Sequence, residues 1–234
     1  MHVLPSIREF RGMAPGFCTA HARAVCVSAK GSNRASMRIE LSILSMRIIG
    51  ITGTLGAGKG TIVDYLIREH GFAHFSARDL IVDEIKRRGL DVDRDIMTAT
   101  ANDLRMKNGP NYIAEALYEQ AKASGKNTII ESLRATAEVE SLRAKGDFIL
   151  FAVDADPKIR YERIVARQSE TDRVSFEKFM ADEEREMQNP EPYQQNIAAC
   201  IKMADYLFQN NGTVAELEAQ VEPVIEKLLA QNGQ

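Results

Sequence analysis

The stretch Ile48-Ile49-Gly50-Ile51-Thr52-Gly53-Thr54-Leu55-Gly56-Ala57-Gly58-Lys59-Gly60-Thr61 decides the fold. An apolar run leads into a glycine-rich segment with one lysine, and an amphipathic stretch follows. That is strand, loop, helix. Such a loop curls its backbone N–H groups around a phosphate, and the helix N-terminus behind it adds a favourable dipole field. Gly53, Gly56, Ala57, Gly58, Lys59, Gly60 and Thr61 are the expected nucleotide-binding residues. Lys59 reaches the outer phosphates. In the commonest form of the pattern Ser or Thr follows the lysine directly; here Gly60 intervenes and Thr61 comes next, either as a direct Mg²⁺ ligand or through a bound water.

Outward from this loop, the chain alternates strand and helix. The spacing predicts strands near 46–52, 72–75, 128–131, 148–153 and 206–208. Ile62, Val63, Leu66 and Ile67 share a helix face that Gly71 terminates. Further helices are expected from Ser76, over 94–106, from Pro110 to Ala123, after Asp156-Pro157, over 175–188 and over 213–231, with Pro223 kinking or restarting the last. Short apolar strands between helices imply an α/β three-layer sandwich on a five-stranded parallel sheet. Ligands bind beyond the strand C-termini of such sheets. That rule gathers the phosphate loop, Ser76 to Asp79, Glu131 to Arg134 and the loop after Asp154.

Composition sets bounds. The 234 residues suffice for one α/β domain, and a net charge of −3 gives no reason to expect a nucleic-acid partner. Residues 1–45 carry six basic and two acidic side chains, +4, which leaves −7 for the remainder. They lack apolar periodicity and read as a disordered or misassigned leader, with Met46 opening the first strand; a transit peptide is the alternative. The domain proper is then 46–234. Cys18, Cys26 and Cys200 form no close pair, which fits reduced thiols in a cytoplasmic protein. His70 and His74 flank Gly71, against a shared metal-binding face, and no apolar run is long enough for a membrane span. Oligomeric state is not readable from these features.

Phosphoryl transfer asks the protein for positioning and positive charge. Besides Lys59, Arg160, Arg163 and Arg167 fall at helical spacing, and Arg173 follows a short polar segment. They suggest an arginine-bearing lid over about 160–190 that neutralises the transferring group and excludes water; a solvated, salt-bridged helix face is the plain alternative. Glu131 ends a strand where a carboxylate can hold a metal-bound water, with Asp154 as a rival. Arg134 is placed to grip an acceptor phosphate in bidentate fashion, with help from Arg78 and Ser76. Asp79 either orients or deprotonates the acceptor or simply favours its helix dipole.

These motifs resemble the P-loop small-molecule kinases related to dephospho-CoA kinases and adenylate-type nucleoside monophosphate kinases. The Gly58-Lys59-Gly60-Thr61 form is that of the adenylate type, and Ser76-Ala77-Arg78-Asp79-Leu80 resembles its acceptor-binding segment. Ala204-Asp205-Tyr206 with Asn210-Asn211-Gly212-Thr213 is similar to the end of dephospho-CoA kinases, which implies that Asn210, Asn211 and Gly212 lie near the adenine. The whole is most like archaeal-type kinase-related proteins, whose strand-end motif is Asp-Gly-hydrophobic-Arg; here it is Glu131-Ser132-Leu133-Arg134. The resemblance implies ATP and Mg²⁺ and a small phosphate acceptor, a nucleoside or deoxynucleoside monophosphate or, alternatively, dephospho-CoA. A nucleotide-binding regulatory ATPase is the reading from another class.

Overall fold

The computed structural model describes residues 46–231 apart from 147, 168–173, 190 and 192. The expectations for residues 1–45 and for Arg173 lie outside the described residues.

Strand β1 (Ile48–Gly53) is buried at every position. It pairs in parallel with β3 (Thr128–Glu131) on one side and β4 (Phe148–Asp154) on the other. Strands β2 (Ala73–Ser76) and β5 (Tyr206–Gln209) complete the order β2-β3-β1-β4-β5. A strand shielded on both faces cannot alternate apolar with polar, which is why the first strand reads as a continuous apolar run. Alternation still sorts its side chains between two cores. Ile48, Ile130 and Leu150 join one; Ile49, Ile51, Ile129, Phe151 and Val153 join the other.

Helices α1 (Lys59–His70) and α9 (Val214–Ala230) cover the second core. Helices α2 (Ala77–Arg87), α3 (Arg94–Asn108), α4 (Tyr112–Ser124), α5 (Thr136–Arg143) and α8 (Ile197–Lys202) contribute side chains to the first. Helices α6 (Pro157–Arg167) and α7 (Phe176–Met187) lie between β4 and α8 in the chain. The short helices α5 and α8 were not expected; each is too brief to show a clear period. α9 runs as one helix with Pro223 inside it, so the chain does not restart there. Pro223 forfeits one intrahelical bond, while Leu217, Val221, Ile225 and Leu228 hold the helix to the sheet. Cys200 is a free thiol pushed up to about 12 by burial. No described helix is long and apolar enough to cross a membrane.

One fully buried ion pair ties α3 to the first turn of α5. The Arg105 Nε and Nη2 each donate to Glu138 Oε1 at 2.8 Å, with the two side chains 1% and 0% exposed. Glu138 Oε2 accepts from the backbone N–H of Arg134 and of Ala135. This carboxylate therefore fixes the start of α5 and the backbone that carries Arg134. Removing one member leaves the other charged and desolvated, which costs about 3–5 kcal/mol. Arg105→Met is expected to lower the unfolding free energy by about that amount in urea titrations, whereas Lys107→Met, at an exposed pair on the same helix, shifts it by about 0.5 kcal/mol or less.

Candidate active site

The register of the sheet brings the expected loops to one edge. Ile51 of β1 lies beside Glu131 of β3, and Glu131 beside Ser76 of β2. Gly53 leaves β1 with φ 138°, and a Cβ there would meet the Val153 carbonyl oxygen at 2.1 Å. Only glycine fits. At Gly58, which caps α1 at φ 106°, an added Cβ would meet Asn210 Nδ2 at 2.2 Å. The amide of Asn210 in turn donates to the Ala57 carbonyl at 2.7 Å. The loop is held from a third direction by Thr54, whose hydroxyl donates to Asp154 Oδ1 at 2.6 Å.

Lys59 is buried at the start of α1. Its ammonium donates to the carbonyls of Gly53 and Thr54 at 2.9 and 2.8 Å. Burial, and then the nearby Arg134 cation, lower its pKa to about 7, against the pull of Glu131. Burial alone would raise the Glu131 carboxyl. The hydrogen bond with His74 Nε2 at 3.1 Å and the charge of Lys59 outweigh it and hold the carboxyl below its usual range.

The loop opens on a cavity of about 560 Å³. Gly56, Gly58, Lys59, Gly60 and Thr61 line one wall with Glu131, Ser132 and Arg134. The facing wall is α2 and α3, with Arg78, Ile81, Arg94, Met97, Thr98, Ala101 and Arg105. Arg163, Arg167, Glu186, Gln195 and Val214 close the remainder. Seven basic and three acidic side chains line it, a formal excess of four positive charges. Ser132 turns the chain from β3 into this wall through φ 68°, a left-handed conformation that costs a non-glycine residue about 1 kcal/mol. The turn sends Leu133 into the core and Arg134 to the cavity.

Several expected residues take other roles. Ser76 caps α2, accepting from the Arg78 N–H, and does not line the cavity. Asp79 is exposed in the first turn of α2 and also off the lining, so the dipole role is the one its place supports. Asp154 is engaged by Thr54 and by the Ala155 N–H, which leaves Glu131 as the strand-end carboxylate facing the cavity. Arg160, expected with the lid arginines, is buried instead. It forms a bidentate pair with Glu183, donates to the Ala155 carbonyl and lies over the Phe179 ring, so it fastens α7 beside the phosphate loop. Arg163 lines the cavity, but its guanidinium donates to the carbonyls of Asn210 and Gly212. Asn211 and Gly212 do not line it: the Asn211 side chain accepts from the Asp156 N–H, and Asn210 makes the contact with the loop. Gly53 and Ala57 shape the loop from below its lining.

Sequence reasoning missed Arg94, Arg105, Glu186 and Gln195. The two arginines had a signal: positions 94, 98, 101 and 105 recur at helical spacing along one face of α3. Glu186 and Gln195 had none, because only folding carries α7 and the segment before α8 to this place. Among the described residues no group of three or more His, Cys, Asp or Glu converges as a metal cage. The hydroxyl of Thr61 and the carboxylate of Glu131 are nonetheless hard oxygen donors of the kind that hold Mg²⁺ together with substrate phosphates.

Comparisons agree with this geometry. The AAA domain family profile matches residues 49–191. A UPF0200 protein of Thermococcus kodakarensis is 30% identical over 189 residues, 78% of this chain and 98% of the relative. The UPF0200 protein of Methanothermobacter thermautotrophicus is 31% identical over 193 residues, 82% of this chain and 95% of the relative. Among solved structures, TT1252 from Thermus thermophilus superposes with a TM-score of 0.52 at 22% identity, covering 78% of this chain and 98% of that one. A shikimate kinase from Bacteroides thetaiotaomicron gives 0.51 at 15%, covering 78% and 99%. At such identities these two structures speak for the fold alone. A P-loop kinase-like sheet, a complete phosphate loop and near full-length relatives lead to one assignment: the chain belongs to the UPF0200 family of AAA-domain P-loop proteins.

Proposed function

We propose that the protein transfers the γ-phosphoryl group of ATP to a nucleoside or deoxynucleoside monophosphate, with Mg²⁺ as cofactor. The observation that carries the reading is that one cavity holds both the phosphate loop with Lys59 and a second set of cations, Arg78, Arg94 and Arg134, on the acceptor side. A monophosphate is already an anion and needs cations more than a base. A ribose-hydroxyl acceptor, as in dephospho-CoA, needs a base, and Asp79 lies off the cavity.

The loop amides and the N-terminus of α1 bind the donor phosphates. Lys59 exchanges its two carbonyl contacts for a β/γ oxygen. Thr61 and Glu131 would hold Mg²⁺ together with the phosphates, and the ion would supply neutralisation of the charge that develops on them. Arg134 grips the acceptor phosphate, and Arg167, exposed at the end of α6 on the cavity lining, approaches the transferring group from the opposite side. Arg163 anchors α6 to the β5–α9 loop, which keeps that approach in line.

Two measurements test this. ATP turnover in the presence of Mg²⁺ is expected to rise strongly with one member of a panel of monophosphates, deoxymonophosphates and dephospho-CoA. Lys59→Ala is expected to lower kcat by about 10²–10³-fold, and Arg134→Lys to raise the acceptor KM more than the ATP KM. Stimulation by dephospho-CoA alone, or by no acceptor, overturns the reading. The second measurement is proton linkage. With a pKa of about 7, Lys59 is mostly neutral at pH 8 in the empty site and protonated at pH 6. Polyphosphate beside it raises that pKa. ATP binding at pH 8 is therefore expected to take up about one proton and at pH 6 markedly fewer, read by calorimetry in two buffers of different ionisation enthalpy. Lys59→Ala removes the pH 8 uptake.

A further inference from the structure

The carboxylate of Glu186 sits where two arginines from different elements converge. Arg94 Nη2 donates to Glu186 Oε1 at 3.0 Å, and Arg134 Nη1 to Glu186 Oε2 at 2.7 Å. Gln195 Oε1 also accepts from Arg134 Nη1, at 2.9 Å. Glu186 itself is almost wholly buried, and all four side chains line the cavity. Burial alone would raise the Glu186 carboxyl, but Arg134 and Arg94 outweigh it and keep the carboxyl below its usual range. One oxygen per arginine, on a planar carboxylate clamped from both sides, is the geometry of a bound anion.

A second observation points to a ligand. Arg105 lines the same cavity, is 2% exposed, and leaves Nη1 without a hydrogen-bond partner. A buried guanidinium nitrogen with no partner is costly, so such atoms call for an explanation. Eleven residues separate it from Arg94, about 16 Å along α3. The two therefore engage different parts of whatever fills the cavity. Arg94 shares Glu186 with Arg134, and Arg105 shares Glu138 with the Arg134 backbone. Arg134 thus lies between them.

The attachment of α7 suits an exchange. Its first turns pack by aromatic contact, Phe176 and Phe179 against Tyr161 of α6. Its contacts with the start of α3 are ionic: Arg185 with Asp95 at 2.9 Å, Lys178 with Asp95 at 3.7 Å, and Arg94 with Glu186. The two Asp95 pairs are exposed and hold weakly, so this end of α7 can shift without breaking an apolar core, whereas Glu186 is nearly buried and leaves its arginines only when another anion takes its place.

We infer that the pair Arg94 and Arg134 is the subsite for the anionic group of the acceptor, and that Glu186 occupies it in the empty protein as an internal stand-in. An incoming phosphate monoester or carboxylate displaces Glu186 from both arginines, and a polar group of the same ligand satisfies Arg105 Nη1. The binding reaction makes and breaks no covalent bond. It rests on the proposed kinase reading only in calling this ligand the acceptor. The cost of displacing Glu186 falls on every ligand, so it selects those with a full anionic charge at that point.

The test needs no turnover. Inorganic phosphate and acetate are titrated into the full chain, Glu186→Gln, Arg94→Gln and the double variant by calorimetry, with the phosphate-loop site common to all four. Glu186→Gln is expected to bind inorganic phosphate about tenfold more tightly than the unaltered chain, and the double variant to lose that gain. A gain with phosphate alone identifies a phosphate ester as the natural ligand, and an equal gain with acetate a carboxylate. Unchanged affinity in Glu186→Gln, or a gain that survives in the double variant, overturns the inference. Should Glu186→Gln lose its cooperative melt, Arg94→Gln alone decides: about tenfold weaker phosphate binding supports the subsite, and unchanged binding refutes it. Failure of the kinase assay with these binding results intact would retire the phosphoryl-transfer reading and leave the anion subsite standing.

Discussion

Everything at the site depends on a central strand that is buried on both faces and paired in parallel on both edges. β1 can carry no exposed side chain, so its backbone must be satisfied by β3 and β4, and its one hydroxyl, Thr52, donates to the Leu133 carbonyl at 2.8 Å. Parallel pairing puts the C-terminal ends of the strands at one edge, where the chain leaves the sheet at Gly53, Ser76, Glu131 and Asp154. The close approach of Gly53 to the Val153 carbonyl admits no side chain. Gly56 at φ 78° and Gly58 at φ 106° then let the loop curl ahead of α1.

The second constraint is the cost of removing charge from water. Charges gather around this edge, and most are matched: Arg105 with Glu138, Arg94 and Arg134 with Glu186, Arg160 with Glu183. Arg105–Glu138 joins α3 to α5, Glu186 joins α7 to α3 and to the loop after β3, and Arg160–Glu183 joins α6 to α7, so the ions set the relative placement of these helices around the cavity. Lys59 is the exception. Its ammonium contacts are neutral carbonyls, and burial, then the neighbouring Arg134 cation, lower its pKa to about 7. Lys59 and Arg105, whose Nη1 has no hydrogen-bond partner, both line the cavity, and such under-compensated buried groups lower stability.

Local signals were strong wherever a residue's role depended on its immediate neighbours. The apolar run before Gly53, the spacing of Ile62, Val63 and Leu66, and the terminating Gly71 placed β1 and α1 within two residues. Glu131 and Arg134 were legible because a strand end fixes where the following loop lies. Helices α5 and α8 were not, since two turns hold too few apolar positions to show a period. Asp79 was legible with its dipole role as one of two readings, and Arg160 only as a charge. One faces away from the cavity and the other is locked under α7, and neither fact is encoded within four residues of either position.

The sequence by itself determined the sheet, the phosphate loop and the sign of the charge at its edge. These follow from periodicity, from the few conformations glycine alone allows, and from the rule that parallel strands end together. Only the tertiary structure decided which cations face the cavity and what they hold. Arg94, Arg105 and Glu186 come from helices with no local reason to meet, and they meet because burying a charge is tolerable only beside its opposite.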